Sequence, residues 1–220
     1  MEPEKSAEGV VRIDRHEVVV PPVGLNGILA LAQPSRALVV FAHGSGSSRL
    51  SPRNTYVATV LNQAGLATLL FDLLTEEEAL DRANVFDIPL LASRLDMARR
   101  WAASDERTRL LPVGYFGAST GAAAALVAAS EARGRIVAVV SRGGRPDLAM
   151  DVLDGVDAPT ILIVGGLDSQ VLALNQAAYE ALICEKALEV VPGATHLFEE
   201  PGTLDRVIAL TRDWFAGHLT

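Results

Sequence analysis

The chain has 220 residues, 50% of them apolar and 21% charged, with a formal net charge of −8. This length predicts a single domain over residues 1–220, and the apolar content excludes a disordered chain. An acidic chain lacks the basic surface that binds phosphate backbones and anionic membranes. Neither nucleic acid nor a membrane is therefore an expected partner.

The N-terminal segment, MEPEKSAEG, lacks the basic start and the apolar core of a signal peptide. The longest apolar run lies within residues 121–129 and is far shorter than the roughly 20 residues that a membrane-spanning helix needs. The single cysteine, Cys184, cannot form an internal disulfide and is interpreted as a packing residue. These features predict a cytoplasmic protein and leave its oligomeric state open.

Strand-like and helix-like segments alternate along the chain. Two β-rich stretches, 10–20 and 25–32, are separated by turn residues and predict an antiparallel start. Continuous apolar strands between helices then indicate a mostly parallel eight-stranded sheet with helices on both faces, an α/β fold. The later predicted strands are 37–42, 67–71, 113–116, 136–140, 159–164 and 188–191; the predicted helices are 54–64, 86–103, 119–132, 171–182 and 204–218.

A Gly-Ala-Ser-Thr-Gly motif at 117–121 joins a predicted strand to a predicted helix and matches G-x-S-x-G, the nucleophile elbow. The turn is sharp, so Gly117 and Gly121 must be small, and the Ser119 hydroxyl projects above the sheet near a helix N-terminus. The alternative is a serine that merely caps the helix. The strand before the motif and the helix after it favour a nucleophile.

Two further polar residues follow predicted strands. A short glycine turn separates Asp168 from the end of strand 159–164. His196 lies in the loop after strand 188–191. Taken alone, the aspartate could be an N-cap or an Asx turn, and the histidine could be a surface residue. However, ligands of open α/β sheets bind outside the carboxyl ends of the strands. The order Ser119, Asp168, His196 therefore predicts a catalytic triad.

Four segments carry a resemblance to a known family: FAHGSGSS at 41–48, GASTGAAAAL at 117–126, ILIVGGLD at 161–168 and GATHLFEEPG at 193–202. Over nearly its whole length the sequence resembles the α/β-hydrolase superfamily, and within it the dienelactone-hydrolase-like branch. Dienelactone hydrolases proper carry cysteine at the nucleophile position, where this chain has Ser119. The resemblance therefore implies an α/β-hydrolase fold and ester or lactone hydrolysis, and leaves the dienelactone substrate in question.

The residues predict two-step acyl transfer. Ser119 would attack an ester carbonyl, His196 would move its proton to the leaving alcohol, and Asp168 would orient the imidazole. No cofactor is needed for this chemistry, and the scattered histidines lack the spacing of a metal site.

The predicted oxyanion hole uses the backbone N–H of Thr120 and, from the glycine-rich loop at 43–46, that of Ser45, with Gly46 as a fallback. This loop could instead cradle phosphate, but it lacks both glycine spacings typical of nucleotide binding. His43 could compete with His196 as the base; its expected role is to hold the loop.

Arg142 and Arg145 lie in a segment, 141–147, that is predicted to be a loop at the rim of the site. Either could clamp a substrate carboxylate, or form a structural salt bridge, for instance with Asp147 or Asp72. Many relatives place a cap domain after the strand that precedes this segment. Residues 141–158 hold only a loop and one short helix or turn, so the sequence predicts no cap domain and an open cleft.

The leading prediction is a serine hydrolase of carboxylic esters or lactones. Its expected partner is a small-molecule ester substrate, and anionic esters are among the candidates. A thioesterase or peptidase with the same triad remains an alternative. A third alternative is a non-catalytic binding protein of the same fold, although such a protein would not need the complete triad.

Overall fold

A computed structural model of the chain describes residues 11–219. Eight strands form one sheet in the order β1-β2-β4-β3-β5-β6-β7-β8. β1 pairs antiparallel with β2, and β2 with β4, whereas the remaining neighbours are parallel. This confirms the predicted mostly parallel eight-stranded sheet with an antiparallel start. The strands are β1 Arg12–Val20, β2 Leu25–Gln33, β3 Leu38–Ala42, β4 Ala67–Phe71, β5 Val113–Ala118, β6 Ile136–Arg142, β7 Thr160–Gly165 and β8 Lys186–Val191.

Helices cover both faces of the sheet, as predicted. The helices are α1 Pro52–Gln63, α2 Arg82–Val85, α3 Ile88–Ser104, α4 Thr120–Glu131, α5 Ser169–Ala181 and α6 Thr203–Gly217. α1 and α6 pack on one face, and α3, α4 and α5 pack on the other. None of the described helices has both the length and the apolar character needed to cross a membrane.

The central strands are apolar throughout because both of their faces are buried. In β3, Val39 and Phe41 pack toward α1 and α6, whereas Leu38 and Val40 pack toward α3 and α4. All four side chains are at most 2% exposed. Full burial of such a side chain contributes about 1.5–3 kcal/mol, so these layers fix the strand ends on which the loops stand.

Several predicted boundaries shift by one or two residues. Val10, placed in the first predicted strand, lies outside the described residues, and that strand begins at Arg12. The predicted helix 86–103 begins instead at Ile88, because the Asp87 carboxylate accepts the Leu90 N–H at 2.9 Å and caps the helix there. β6 continues two residues beyond its predicted end at 140.

The extension of β6 corrects the position predicted for Arg142. Ser141 and Arg142 belong to the strand and are buried, rather than lying in an exposed rim loop. Between β6 and β7 the chain forms a 3₁₀ helix over Pro146–Gly155. Within residues 11–219 no cap domain covers the sheet, as predicted.

Candidate active site

Ser119 lies on a strained turn between β5 and α4. Its backbone has φ 53° and ψ −121°, a conformation that residues other than glycine rarely adopt. The Ser119 N–H donates to the Arg142 carbonyl at 3.2 Å, and the Ser119 carbonyl accepts the Arg145 N–H at 3.1 Å. The side chain makes no capping hydrogen bond to α4. The turn therefore has the geometry of a nucleophile elbow rather than that of a simple capped helix.

Small residues around the elbow allow this turn to form. A Cβ added to Gly117 would lie 2.4 Å from the Cα of Ala122, well inside contact distance. A Cβ added to Gly44, in the loop after β3, would lie 3.0 Å from the Cβ of Ser119. The glycine-rich loop thus packs directly against the residue that carries the candidate nucleophile.

Asp168 and His196 are paired. The Nδ1 of His196 lies 2.7 Å from the Oδ2 of Asp168. Asp168 precedes α5 at the N-cap position, but its carboxylate makes no capping bond there. With Nδ1 held by the carboxylate, Nε2 is the nitrogen that can exchange a proton with a substrate or a nucleophile.

Backbone contacts bring these two side chains together. The N–H of Leu167 donates to the Ala194 carbonyl at 2.9 Å, and the N–H of Gly166 donates to the Val191 carbonyl at 2.9 Å. A Cβ added to Gly165 would lie 2.5 Å from the Ala194 oxygen, so only glycine allows the loops to approach this closely. The loops after β7 and β8 are therefore fastened to each other just before Asp168 and His196.

The hydrogen bond between serine and histidine, the second of the two contacts in a triad, is not formed between Ser119 and His196. Among the hydrogen bonds of the described residues, none joins Ser119 to His196. Both residues nevertheless lie against the same short segment. The Arg142 carbonyl accepts the Ser119 N–H, and a Cβ added to the next residue, Gly143, would lie 3.6 Å from Cε1 of His196. In enzymes without substrate this contact is often long and tightens on binding.

Glu200 fixes the residue that precedes the histidine. Its Oε1 accepts the Thr195 hydroxyl at 2.7 Å, and its Oε2 accepts the Thr195 N–H at 3.1 Å. These bonds favour the ionised form and lower the pKa of Glu200. From the sequence alone, Glu199 and Glu200 could each support His196, but a solvated surface carboxylate is the commoner role of a glutamate in a polar loop; this clamp corrects that interpretation for Glu200.

His43 holds the loop after β3. Its Nε2 accepts the Leu73 N–H at 3.1 Å, so the proton lies on Nδ1, which is 3.0 Å from the Gly44 carbonyl. Burial lowers the pKa of His43, which favours the neutral ring. Both ring nitrogens are engaged, so this histidine has no nitrogen free to act as a base.

The two predicted oxyanion donors lie side by side, but one is already bound. The Ser45 N–H donates to the Thr120 hydroxyl oxygen at 3.0 Å. Thr120 is only 3% exposed, and with Ser45 it lines a cavity of about 300 Å³ beside the elbow. The other walls of the cavity include Leu73, Leu74, Ala79, Val85 and Leu91.

The two arginines considered for substrate binding differ in their surroundings. Arg145 forms two hydrogen bonds to Asp147, at 2.8 and 2.7 Å, so its charge is already balanced. Arg142 is 8% exposed, and neither its Nε nor its Nη1 has a hydrogen-bond partner. Burial, followed by the nearby charge of Arg53, lowers the pKa of Arg142 to about 10.

In residues 11–219 no group of three His, Cys, Asp or Glu side chains is placed to hold a metal ion. The half-buried Cys184 follows α5. Burial raises the pKa of its thiol, which favours the unreactive protonated form.

Comparison with solved structures gives several similar folds. A dienelactone hydrolase from Anabaena variabilis is 54% identical, with a TM-score of 0.91 over 96% of this chain and 100% of that chain. Est1E from Butyrivibrio proteoclasticus is 15% identical, with a TM-score of 0.79 over 92% and 98% of the two chains. A lid-free serine hydrolase from Xanthomonas campestris is 18% identical, with a TM-score of 0.76 over 93% and 94%.

Two curated relatives are proteins from strains of Mycobacterium tuberculosis that carry a provisional phosphoribosyl transferase name. Each is 60% identical over 214 residues, which is 97% of this chain but 48% of the relative. The chain thus spans about half the length of the curated relatives it matches. No family model matches the chain.

Proposed function

The chain belongs to the dienelactone-hydrolase-like branch of the α/β-hydrolases, and on that basis we propose that it is a serine hydrolase of small carboxylic esters or lactones. The observation that carries the proposal is the strained backbone of Ser119, at φ 53°. This turn occupies the same edge of the sheet as the paired Asp168 and His196. Strain of this kind persists only where the surroundings enforce it, and it concentrates at functional sites.

In the proposed reaction the Ser119 Oγ attacks the ester carbonyl carbon as His196 Nε2 accepts the hydroxyl proton. The carbonyl π electrons move to oxygen, forming a tetrahedral oxyanion. The oxyanion collapses and the bond to the alcohol breaks, with His196 donating the proton to the departing oxygen. Water then releases the acyl group by the same steps, while Asp168 stabilises the imidazolium throughout.

The oxyanion requires two hydrogen-bond donors. The backbone N–H of Thr120 is one, because it lies in the first turn of α4, where N–H groups have no partner within the helix. The loop after β3 supplies the other side of the hole, with Ser45 facing Thr120 and Gly46 next to it.

We propose that the substrate carries an anionic group that meets Arg142. The buried guanidinium lacks partners for its Nε and Nη1, and an uncompensated buried charge is costly. A substrate carboxylate would supply the missing charge and hydrogen-bond acceptors. Arg145 does not support such a role, because Asp147 already occupies its guanidinium.

The phosphoribosyl transferase name belongs to relatives about twice as long as this chain. The part described here is built around a candidate nucleophile, base and carboxylate at the carboxyl edge of a parallel sheet. We infer that the transferase name refers to the half of the relatives that this chain does not match.

The test is covalent labelling by a fluorophosphonate together with hydrolysis of p-nitrophenyl esters. Wild type should label and turn over, whereas Ser119→Ala should do neither. Ser130→Ala is a matched control, because it removes a serine from the far end of α4. Labelling retained in Ser119→Ala, or a wild type inert toward both reagents, would refute the proposal. A higher kcat/KM for thioesters or amides than for matched esters would favour the thioesterase or peptidase alternative.

A further inference from the structure

The hydrogen bond between Ser45 and Thr120 changes the expected composition of the oxyanion hole. The Ser45 N–H points at the Thr120 hydroxyl oxygen, 3.0 Å away, instead of standing free for the substrate. A threonine hydroxyl has two acceptor positions and one donor. Accepting from Ser45 leaves the O–H of Thr120 available to donate.

Other buried threonines of this protein use their hydroxyls differently. Thr108 donates to the Ala102 carbonyl at 2.7 Å, and Thr211 donates to the Val207 carbonyl at 2.8 Å. Among the hydrogen bonds of residues 11–219, the Thr120 hydroxyl accepts one and donates none. As the first residue of α4, Thr120 has no helical carbonyl four positions earlier to which it could donate. Its O–H is therefore held beside the cavity with its donor capacity unused.

We propose that the Thr120 hydroxyl donates a hydrogen bond directly to the tetrahedral oxyanion, while the Ser45 N–H holds that hydroxyl in place. This inference rests on the proposed function. Thr120 then presents two donors to one oxygen, its backbone N–H and its side-chain O–H, both adjacent to Ser119 in sequence. The bond from Ser45 polarises the hydroxyl and strengthens its donation. Ser45 thus acts as a positioning residue rather than as a direct donor.

Substitution of Thr120 distinguishes this arrangement from the simpler one in which the Ser45 N–H donates directly to the oxyanion. Thr120→Val keeps the β-branched shape and removes the O–H. We expect its kcat and kcat/KM to fall together by about 10²–10³-fold, as when one oxyanion donor is lost. Thr120→Ser keeps the hydroxyl and should retain most of the wild-type kcat. If Ser45 donates directly, Thr120→Val frees its N–H, and kcat stays unchanged or rises; that result would overturn the inference.

A control variant and a second pair of variants accompany the comparison of Thr120→Val with the wild type. Thr211→Val removes a buried hydroxyl on α6, on a different face of the sheet, and should leave kcat unchanged. If Thr120→Val does not fold, Thr120→Ser and Thr120→Ala give the same contrast; equal kcat values in these two variants would refute a donating hydroxyl. The rate of fluorophosphonate labelling should follow the same order as kcat, because the phosphoryl oxygen occupies the same hole.

The outcomes also distinguish this inference from the proposed function. If Ser119→Ala abolishes turnover and labelling but Thr120→Val does not slow them, only the role of the Thr120 hydroxyl is wrong. If the wild type neither hydrolyses esters nor labels, the proposed function and the inference fail together.

Discussion

Gly121 lies so close to the end of β3 that a Cβ added to it would stand 2.2 Å from the carbonyl oxygen of Ala42. The same atom would lie 2.5 Å from the carbonyl oxygen of His43. Both obstacles are backbone atoms, one in the last residue of β3 and one in the residue that follows it, so they cannot move aside as a flexible side chain would. The start of α4 can approach the sheet only because this residue has no side chain.

We therefore predict that Gly121→Ala lowers the free energy of unfolding by about 3 kcal/mol or more, because it forces α4 away from the sheet. The elbow should distort with the helix, and esterase activity should fall even in the fraction that remains folded. Urea unfolding monitored by circular dichroism measures the first effect, and kcat measured on folded protein measures the second.

Gly217→Ala provides the control, because a Cβ at this position near the end of α6 meets no atom within 4 Å. Alanine is favoured over glycine in helices, so its stability should stay the same or rise by up to about 1 kcal/mol. Equal destabilisation by Gly121→Ala and Gly217→Ala would contradict the steric argument.

The two hydrogen bonds by which Glu200 holds Thr195 lead to a prediction about catalysis. Glu200→Gln replaces two acceptor oxygens by one, so either the Thr195 N–H or its hydroxyl proton loses its acceptor. We expect kcat to fall about 3–10-fold with KM nearly unchanged, because His196 is held less firmly in its catalytic position. Steady-state kinetics with a neutral p-nitrophenyl ester provides the measurement.

Glu199→Gln is the matched variant, because Glu199 is 62% exposed and pairs with Arg53 at the surface. Exposed pairs of this kind contribute little, so its kcat should match the wild type. A kcat loss of the same size in both variants would show that the clamp does not position the histidine.

The parts of the site that were predictable lie at strand ends. Continuous apolar runs locate the parallel strands, and the carboxyl ends of parallel strands meet at one edge. Ser119, Asp168 and His196 could therefore be grouped from their order and spacing alone. The pairing of Asp168 with His196 follows from that grouping, because β7 and β8 are neighbours in the sheet.

Other features depended on tertiary contacts that no local pattern encodes. Arg142 was predicted to lie in a rim loop because a strand end is ambiguous by about two residues, and those two residues decide whether its guanidinium is buried. The bond from Ser45 to Thr120 joins residues 75 positions apart. It exists only because β3 and β5 are adjacent.

The buried His43 predicts how stability depends on pH. Burial lowers its pKa below the ordinary value of 6.5, outweighing the opposite effects of the Gly44 carbonyl and Asp72. Between the folded and unfolded pKa values the unfolded chain binds a proton that the folded chain does not. The free energy of unfolding should therefore fall as the pH drops below about 6.5, and this contribution should level off below the folded pKa.

Urea unfolding at several pH values between about 8 and 5 measures this dependence. His43→Gln can still accept the Leu73 N–H through its amide oxygen but cannot gain a proton. Its unfolding free energy should change less with pH over the same range than that of the wild type. Identical pH dependence in the two proteins would mean that another group is responsible.

Arg142 predicts opposite effects on stability and on substrate binding. Arg142→Met keeps a long unbranched side chain and removes a buried charge whose Nε and Nη1 have no partner. We expect the free energy of unfolding to rise by about 1–3 kcal/mol, because the cost of desolvating the guanidinium disappears. At the same time KM for acidic esters should rise about tenfold or more, while KM for neutral esters of the same size stays unchanged. Urea unfolding and paired kinetics on the two esters provide the measurements.

Arg145→Met tests whether the effects expected for Arg142→Met depend on the place of Arg142 in the structure or would follow from the loss of any nearby positive charge. The Arg145 side chain is 39% exposed and its guanidinium is already bound to Asp147, so its loss should change stability by less than about 1 kcal/mol. KM for acidic and neutral esters should stay the same in this variant. The anion-binding role of Arg142 is wrong if Arg142→Met raises KM equally for both ester types, since a general distortion of the site would do the same. A gain in stability without any change in KM would leave Arg142 with no part in substrate binding.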